Sequence, residues 1–422
     1  MPLYCVVSSP QSCIFTLDTG PVLFYNVHHC ITAFDIVELI TVYQHRRRPT
    51  MHSLGSTELI EDVQKKDLCV DCGACVGLCP YFVSHQGKIA RLFPCTLPQG
   101  RCYAHCPKTQ VDMNELSMYH FGKPFDLSAL GHVKMIKKAK AGPAMGDKSR
   151  FQNGGTVSAL VTMAMKEGHI HAAALTKREG INPVPFLART PSEVLDCCGS
   201  KYMASPTLAS VTKETANSTL TMAVVGTPCQ MTALAKMRMN PLGREDFRDP
   251  VAFAIGLFCT WALDTRRLST LLNGKIDPVD ILSMDVPPPP AQDMVFKTSH
   301  GTVPIPLSEI RTIIPKGCTI CPDMTAEFSD LSVGALEGEP GWNTLIIRTA
   351  RGEKLAMEAL EKGYLIMEDM PGASLANLEK GAMGKKKKAL ARATEDQLLN
   401  LEPDKGRSAL IIEQRLVDAC LS

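Results

Sequence analysis

The residues best equipped for chemistry in this 422-residue chain are its seventeen cysteines. The run Cys69-Val70-Asp71-Cys72-Gly73-Ala74-Cys75-Val76-Gly77-Leu78-Cys79-Pro80 has the spacing C-x2-C-x2-C-x3-C-P. Three thiolates at that interval wrap one face of an iron–sulfur cluster, and the fourth points toward a second cluster. A zinc site uses two CxxC pairs separated by a longer loop. The second half is irregular: Cys95, Cys102 and Cys106-Pro107 follow at x6 and x3. Cys106 can complete the set Cys69, Cys72 and Cys75, as the exchanged-ligand pattern of two-cluster ferredoxins requires. Cys79, Cys95 and Cys102 remain. They are ligands of a second cluster, with His105 as a fourth ligand or in a three-iron form, or they are loop thiols of a collapsed motif.

A second constellation centres on Cys229. The apolar run Leu220 to Val225 reads as a strand, and Met231 to Met239, rich in Ala, Leu, Met and Lys, reads as a helix. Thr227 suits its cap and Pro228 its first turn. Cys229 then sits at a helix N-terminus, where N–H groups and the macrodipole favour a thiolate. A second strand, Val251 to Leu257, leads to Cys259, and Gly317-Cys318-Thr319-Ile320-Cys321-Pro322 adds two thiols. Cys229, Cys259, Cys318 and Cys321 have the number and type of ligands for one [4Fe–4S] cluster, and a structural zinc suits the same four.

These residues need an α/β framework, because open α/β sheets bind ligands beyond the C-terminal ends of their strands. The sequence predicts a helix from Thr156 to about Glu167 and strands at His171–Thr176, Val184–Ala188 and Leu345–Thr349. It also predicts a hairpin of Met294–Ser299 with Thr302–Ile305 and a helix over Arg351–Lys362. Asn153-Gly154-Gly155-Thr156 opens the first helix, and paired glycines there let backbone approach a phosphate or flavin ring, or simply turn. In Gly199-Ser200-Lys201-Tyr202 the lysine can bind phosphate and the tyrosine can stack on a ring. Residues 110–145 read as a linker with short helices, its lysines (Lys134, Lys137, Lys138, Lys140) a solvated face or a dock for an acidic partner. Lys385 to Lys388 read as a solvated basic run in a polar tail.

The formal net charge of +2 announces no nucleic-acid surface, and no apolar run of 18 residues marks a membrane span. Cysteines clustered in CxxC spacings, in a chain too long to need disulfides, point to a reducing, cytoplasmic setting. Residues 1–50 fit poorly with the rest. Their basic triplet Arg46-Arg47-Arg48 follows the apolar run Ile31 to Val42, the reverse of a signal peptide. Met51 offers a cleaner start before a capped helix at Ser56–Val63, so translation from Met51 is an expectation. The segments are 1–50, an extension; 51–125, ferredoxin-like; 126–218 and 219–370, two halves of a core; and 371–422, a helical, polar tail.

Taken together, Asn153 to Leu160, Gly199 to Tyr202, Gly226-Thr227-Pro228-Cys229-Gln230, Gly256-Leu257-Phe258-Cys259, and Gly317 to Asp323 with Glu327 and Asp330 resemble the family of beta subunits of coenzyme F-420 hydrogenases and dehydrogenases. The resemblance implies an α/β (α+β) core whose mixed sheet binds FAD, beside an N-terminal ferredoxin-like [4Fe–4S] module. It implies FAD held by Asn153, Gly154, Gly155, Thr156, Ser158, Lys201, Tyr202, Gly226, Thr227 and Pro228, and two or three [4Fe–4S] clusters. The implied partners are coenzyme F-420 or another hydride donor or acceptor, with partner redox subunits or ferredoxin. Family members of this kind also reduce other organic substrates with electrons from ferredoxin, so that reading stands as the alternative. Two departures are visible: Gln152-Asn153 stands where the family has Gln-Asp, and the second ferredoxin motif is incomplete. No catalytic acid or base stands out.

Overall fold

The computed structural model describes residues 4–9, 12–17, 20–26, 54–214, 220–287, 291–401 and 407–422. The expectations on Ile31 to Val42 and on the Met51 start lie outside these. The chain divides into two compact units, Met1–His52 and Ser53–Ser422. In the first, Tyr4–Ser9, Ser12–Leu17 and Gly20–Asn26 form an antiparallel three-stranded sheet.

The second unit is built on an eight-stranded mixed sheet. Its strands in chain order are β1 (Met135–Ala141), β2 (Ala172–Glu179), β3 (Asn182–Ala188), β4 (Met222–Gly226), β5 (Val251–Leu257), β6 (Leu331–Ala335), β7 (Asn343–Ile347) and β8 (Leu365–Asp369). Their spatial order is β8-β1-β7-β6-β5-β4-β2-β3. The four central strands β2, β4, β5 and β6 run parallel, and the flanking pairs are antiparallel. Parallel strands need both faces covered, and β4 is buried at every position. Its side chains alternate between two cores. Met222 and Val224 join Leu208, Met231 and Cys72 on one face. Ala223 and Val225 join Leu160, Ile255 and Leu345 on the other.

Helices α1 (Thr156–Lys166), α2 (Pro228–Arg238), α3 (Ala350–Glu361) and α4 (Gly372–Glu395) follow in chain order. A smaller antiparallel sheet of Ile281–Asp285, Asp293–Thr298 and Gly301–Pro306 has its own core around Met294, Phe296 and Leu268.

Two expectations are corrected. Residues 110–145 are not a linker: β1 is an interior strand, paired on one side with β7 and on the other with β8. Lys137 is ion-paired to Asp369, Lys138 to Glu339 and Glu368, and Lys134 just before the strand to Glu353, while Lys140 lies over the Trp342 ring at 4.0 Å. Nor is Lys385 to Lys388 a solvated tail. It lies on the 24-residue helix α4, and Lys386 is 1% exposed. A buried lysine needs a partner, and Lys386 Nζ has one in Glu327 Oε1 at 2.5 Å.

Candidate functional site

The Cys229 corner forms as its sequence dictates. β4 ends at Gly226, Thr227 is the N-cap of α2 and Pro228 its first residue. The Thr227 N–H donates to Gln230 Oε1 at 2.8 Å, closing the first turn. Gln230 Nε2 donates to the Ser205 carbonyl at 2.8 Å, which fixes the neighbouring loop. The Thr227 hydroxyl lies 3.3 Å from Cys229 Sγ. β5 lies beside β4 in parallel register, Gly226 opposite Gly256, so Cys259 emerges at the same edge of the sheet. Gly317 presses on the Leu68 carbonyl, where a Cβ would come within 2.2 Å. That contact seats the Cys318 loop against the segment entering Cys69.

Electrostatic reach among the thiols divides them into three sets. Cys229 and Cys259 both feel Cys318 and Cys321. Cys69, Cys72 and Cys75 all feel Cys106, and these four line one small cavity of about 20 Å³ with Pro107 and Lys108. Cys102 feels Cys79 and Cys95. The sets are linked in a row, because Cys75 also feels Cys102 and Cys72 also feels Cys229. Burial pushes the thiols up, Cys69 and Cys102 to about 11 and Cys229 to about 12. Such thiols stay neutral alone, and an iron group binding them as thiolates offsets the cost of burying the charge.

Among the described residues, no three His, Cys, Asp or Glu side chains are drawn together tightly enough to hold a single ion. A zinc ion needs its four sulfurs on one centre. A cubane binds each sulfur at a different iron and tolerates wider spacing. The described thiols stand as open sets of four, four and three.

Two buried lysines and one partly buried lysine lie beside these sets, and sequence reasoning missed the role of each. Lys236 donates to the carbonyls of Cys106 at 2.8 Å and Gln110 at 3.1 Å and to the Thr109 hydroxyl at 2.9 Å. Burial lowers it to about 8. It stands seven residues after Cys229 on the same helix, a signal that helical periodicity offered. Lys385 donates to the carbonyls of Cys259 and Asp323, both at 2.6 Å. Burial opposes its charge, yet Cys321, Cys259 and Asp323 hold it above the ordinary lysine value. Lys108 is 5% exposed and acts on Cys106, Cys229 and Cys318.

The residues expected at FAD fall into two groups. The Asn153–Ser158 loop and the Cys197–Tyr202 loop meet: Ser200 N donates to Gln152 Oε1 at 2.6 Å, and Ser158 Oγ lies 3.3 Å from Cys198 Sγ. The Tyr202 hydroxyl and Gln152 Nε2 both donate to Asp285 Oδ1, at 3.1 and 3.3 Å. Lys201 Nζ points at the carbonyls of Cys197 and Cys198. Gly226, Thr227 and Pro228 belong instead to the Cys229 corner. The glycine pair also has an internal cause. A Cβ on Gly154 would meet Asn343 Oδ1 at 2.6 Å. Gly155 has φ +73°, and a Cβ there would meet the Phe151 ring at 2.4 Å. Asn343 Oδ1 already accepts the first N–H of α1, from Thr156 at 3.3 Å.

Comparison with known proteins agrees with this geometry. Residues 144–212 match the N-terminal part of the family described as coenzyme F-420 hydrogenase/dehydrogenase, beta subunit, and residues 220–372 match its C-terminal part. The coenzyme F-420 hydrogenase subunit beta of Methanothermobacter thermautotrophicus is 30% identical over 247 residues, covering 56% of this chain and 86% of that one. One subunit of the F(420)H(2) dehydrogenase of Methanosarcina mazei is 26% identical over 343 residues, covering 75% and 89%. A solved chain of the F-420-reducing [NiFe] hydrogenase complex from Methanosarcina barkeri superposes with a TM-score of 0.58 at 25% identity, covering 63% of this chain and 93% of that one. The chain therefore belongs to the family of coenzyme F-420 hydrogenase/dehydrogenase beta subunits, and is an oxidoreductase of that type.

Proposed function

We propose that this protein exchanges a hydride with the deazaflavin coenzyme F-420 and passes the electrons singly along three iron–sulfur sites to a redox partner. The observation that carries the reading is the row of three thiol sets, joined by Cys72 with Cys229 and by Cys75 with Cys102. Relatives named as belonging to F-420 hydrogenase and F(420)H(2) dehydrogenase support the choice of donor. FAD accepts two electrons as hydride and releases them one at a time.

The chain's own residues do the rest. The meeting loops Asn153–Ser158 and Cys197–Tyr202, beside the N-terminus of α1, would hold the flavin. Cys229, Cys259, Cys318 and Cys321 would hold one [4Fe–4S] cluster, and Cys69, Cys72, Cys75 and Cys106 a second. Cys79, Cys95 and Cys102 would hold a third. Lys236 and Lys385 tie down the carbonyls of Cys106 and Cys259 and place positive charge beside thiolates, which raises reduction potential. Burial of Cys72 and Cys75 keeps water from the middle set.

The test is a visible spectrum of anaerobically purified protein before and after reduced F-420 is added. Flavin bands over a broad iron–sulfur shoulder, both bleached by reduced F-420, are expected. A colourless protein, or one with bands that F-420 leaves unchanged, removes the reading.

A further inference from the structure

Among these thiols exposure is greatest in the set at one end of the row, although Cys102 in that set is buried. Cys72 and Cys75 in the middle are buried, Cys95 is partly exposed and Cys79 is exposed. The exposed end is framed by apolar surface. Leu92 and Phe93 precede Cys95 and Leu97 follows it, and they are 52%, 59% and 67% exposed. Two of these positions are fixed: the Leu92 backbone N–H donates to the Tyr81 carbonyl at 2.7 Å, and the Phe93 ring packs edge-on against Tyr81 at 5.9 Å. Exposed large apolar groups clustered in one place mark interaction surfaces.

The charge around this face is mainly positive. Between Asp71 and Asp112 the sequence contains no aspartate or glutamate, and it carries Lys88, Arg91, Arg101 and Lys108. Lys88 is neutralised by Asp67 and Asp264, and Lys108 is buried. Arg91 donates to the neutral Ser56 hydroxyl, and Arg101 lies within electrostatic reach of Cys79 and Cys102 and of Asp246, which is itself paired with Arg244. An apolar patch with a cationic rim selects an anionic partner and speeds its arrival. Weak electron-transfer encounters use small interfaces of this kind.

We infer that the surface formed by Leu92, Phe93 and Leu97 around Cys95 docks a small acidic one-electron carrier protein. The inference rests on the proposed row of clusters ending at Cys79, Cys95 and Cys102. Each hydride taken from reduced F-420 brings two electrons. Two carrier molecules gain one electron each, F-420 is oxidised, and two protons go to water, one left by the hydride and one released by F-420.

The test uses the full chain as wild type, Leu97→Glu and Leu97→Lys, with a two-cluster bacterial ferredoxin as the carrier. Each protein is reduced with dithionite, desalted, and mixed with oxidised ferredoxin at several salt concentrations. Loading by dithionite separates this step from F-420, whose failure to bleach the protein would remove the proposed function alone. Iron content and visible spectrum are expected to match in all three. At low salt the second-order rate is expected to fall about tenfold in Leu97→Glu but not in Leu97→Lys, and the wild-type rate to fall as salt rises. Unchanged rates in both variants overturn the surface, and equal slowing in both overturns the acidic partner. A wild-type dimer in sedimentation that Leu97→Glu disperses assigns the face to a second copy and also overturns it.

Discussion

Glu327 carries its carboxylate where water does not reach, 4% exposed, against Lys386. Burial raises it to about 7, with Lys386 and Arg348 pulling the other way. A carboxyl whose pKa is raised by folding contributes stability that is fully present below its unfolded value and lost as pH rises through the folded one. Wild type is therefore expected to lose on the order of 2–3 kcal/mol relative to Glu327→Gln between pH 4.5 and pH 7.5. Urea denaturation of both proteins across that range checks it, and parallel curves would show that Glu327 does not titrate there. Glu327 was legible in the sequence only as part of a motif. Lys386 was not, because four consecutive lysines read as solvent-facing until a helix turns one of them inward.

The same limit operates on whole elements. β2, β4, β5 and the hairpin from Asp293 to Pro306 were readable, since their apolar runs or alternation need no distant partner. β1 was not, because Met-Ile-Lys-Lys-Ala-Lys-Ala offers three lysines whose partners lie some two hundred residues away, carboxylates for Lys137 and Lys138 and the Trp342 ring for Lys140. The C-terminal segment hides its role in the same way. Leu399–Asn400 and Leu410–Ile411 build a parallel three-stranded sheet onto Val111–Asp112, and the helix Gln414–Leu421 buries Val417 in the core that contains Cys72 and Cys75. A charge at Val417 has no partner in that core. Val417→Asp is expected to cost about 3 kcal/mol and to raise amide exchange at Val111 and Asp112 ahead of β4. Uniform exchange across both would show that the C-terminal segment is not a separate fastening.

At the scale of the molecule, the spacings of Cys69 to Cys79 and the Cys318–Cys321 pair were legible because short-range spacing is itself the chemistry. The order of the three thiol sets was not, since it depends on how the module packs. Gly73 lies against Pro206, and the Leu208 N–H donates to the Cys72 carbonyl at 3.2 Å. Cys72 is thus the junction of the row. Cys72→Ser is expected to lose about four irons per chain, to retain flavin, and to stop ferredoxin reduction while F-420 still bleaches the flavin. Iron analysis with flavin absorbance checks this. Loss of flavin with full iron would place the two groups in one inseparable unit.

Helix α2 has one more consequence. Its first turn carries Cys229, and Lys236 near its other end grips the Cys106 carbonyl. Seven residues of α-helix span about 10 Å, and a helix hardly stretches. The gap between the Cys229 and Cys106 thiol sets is thus gauged by continuous backbone rather than by a hinge between modules. Electron tunnelling depends steeply on distance, so a gap held by such a spacer keeps one transfer rate through every motion of the surrounding loops. In the proposed relay, breathing of the outer surface would then affect the arrival of a partner but not the internal transfer.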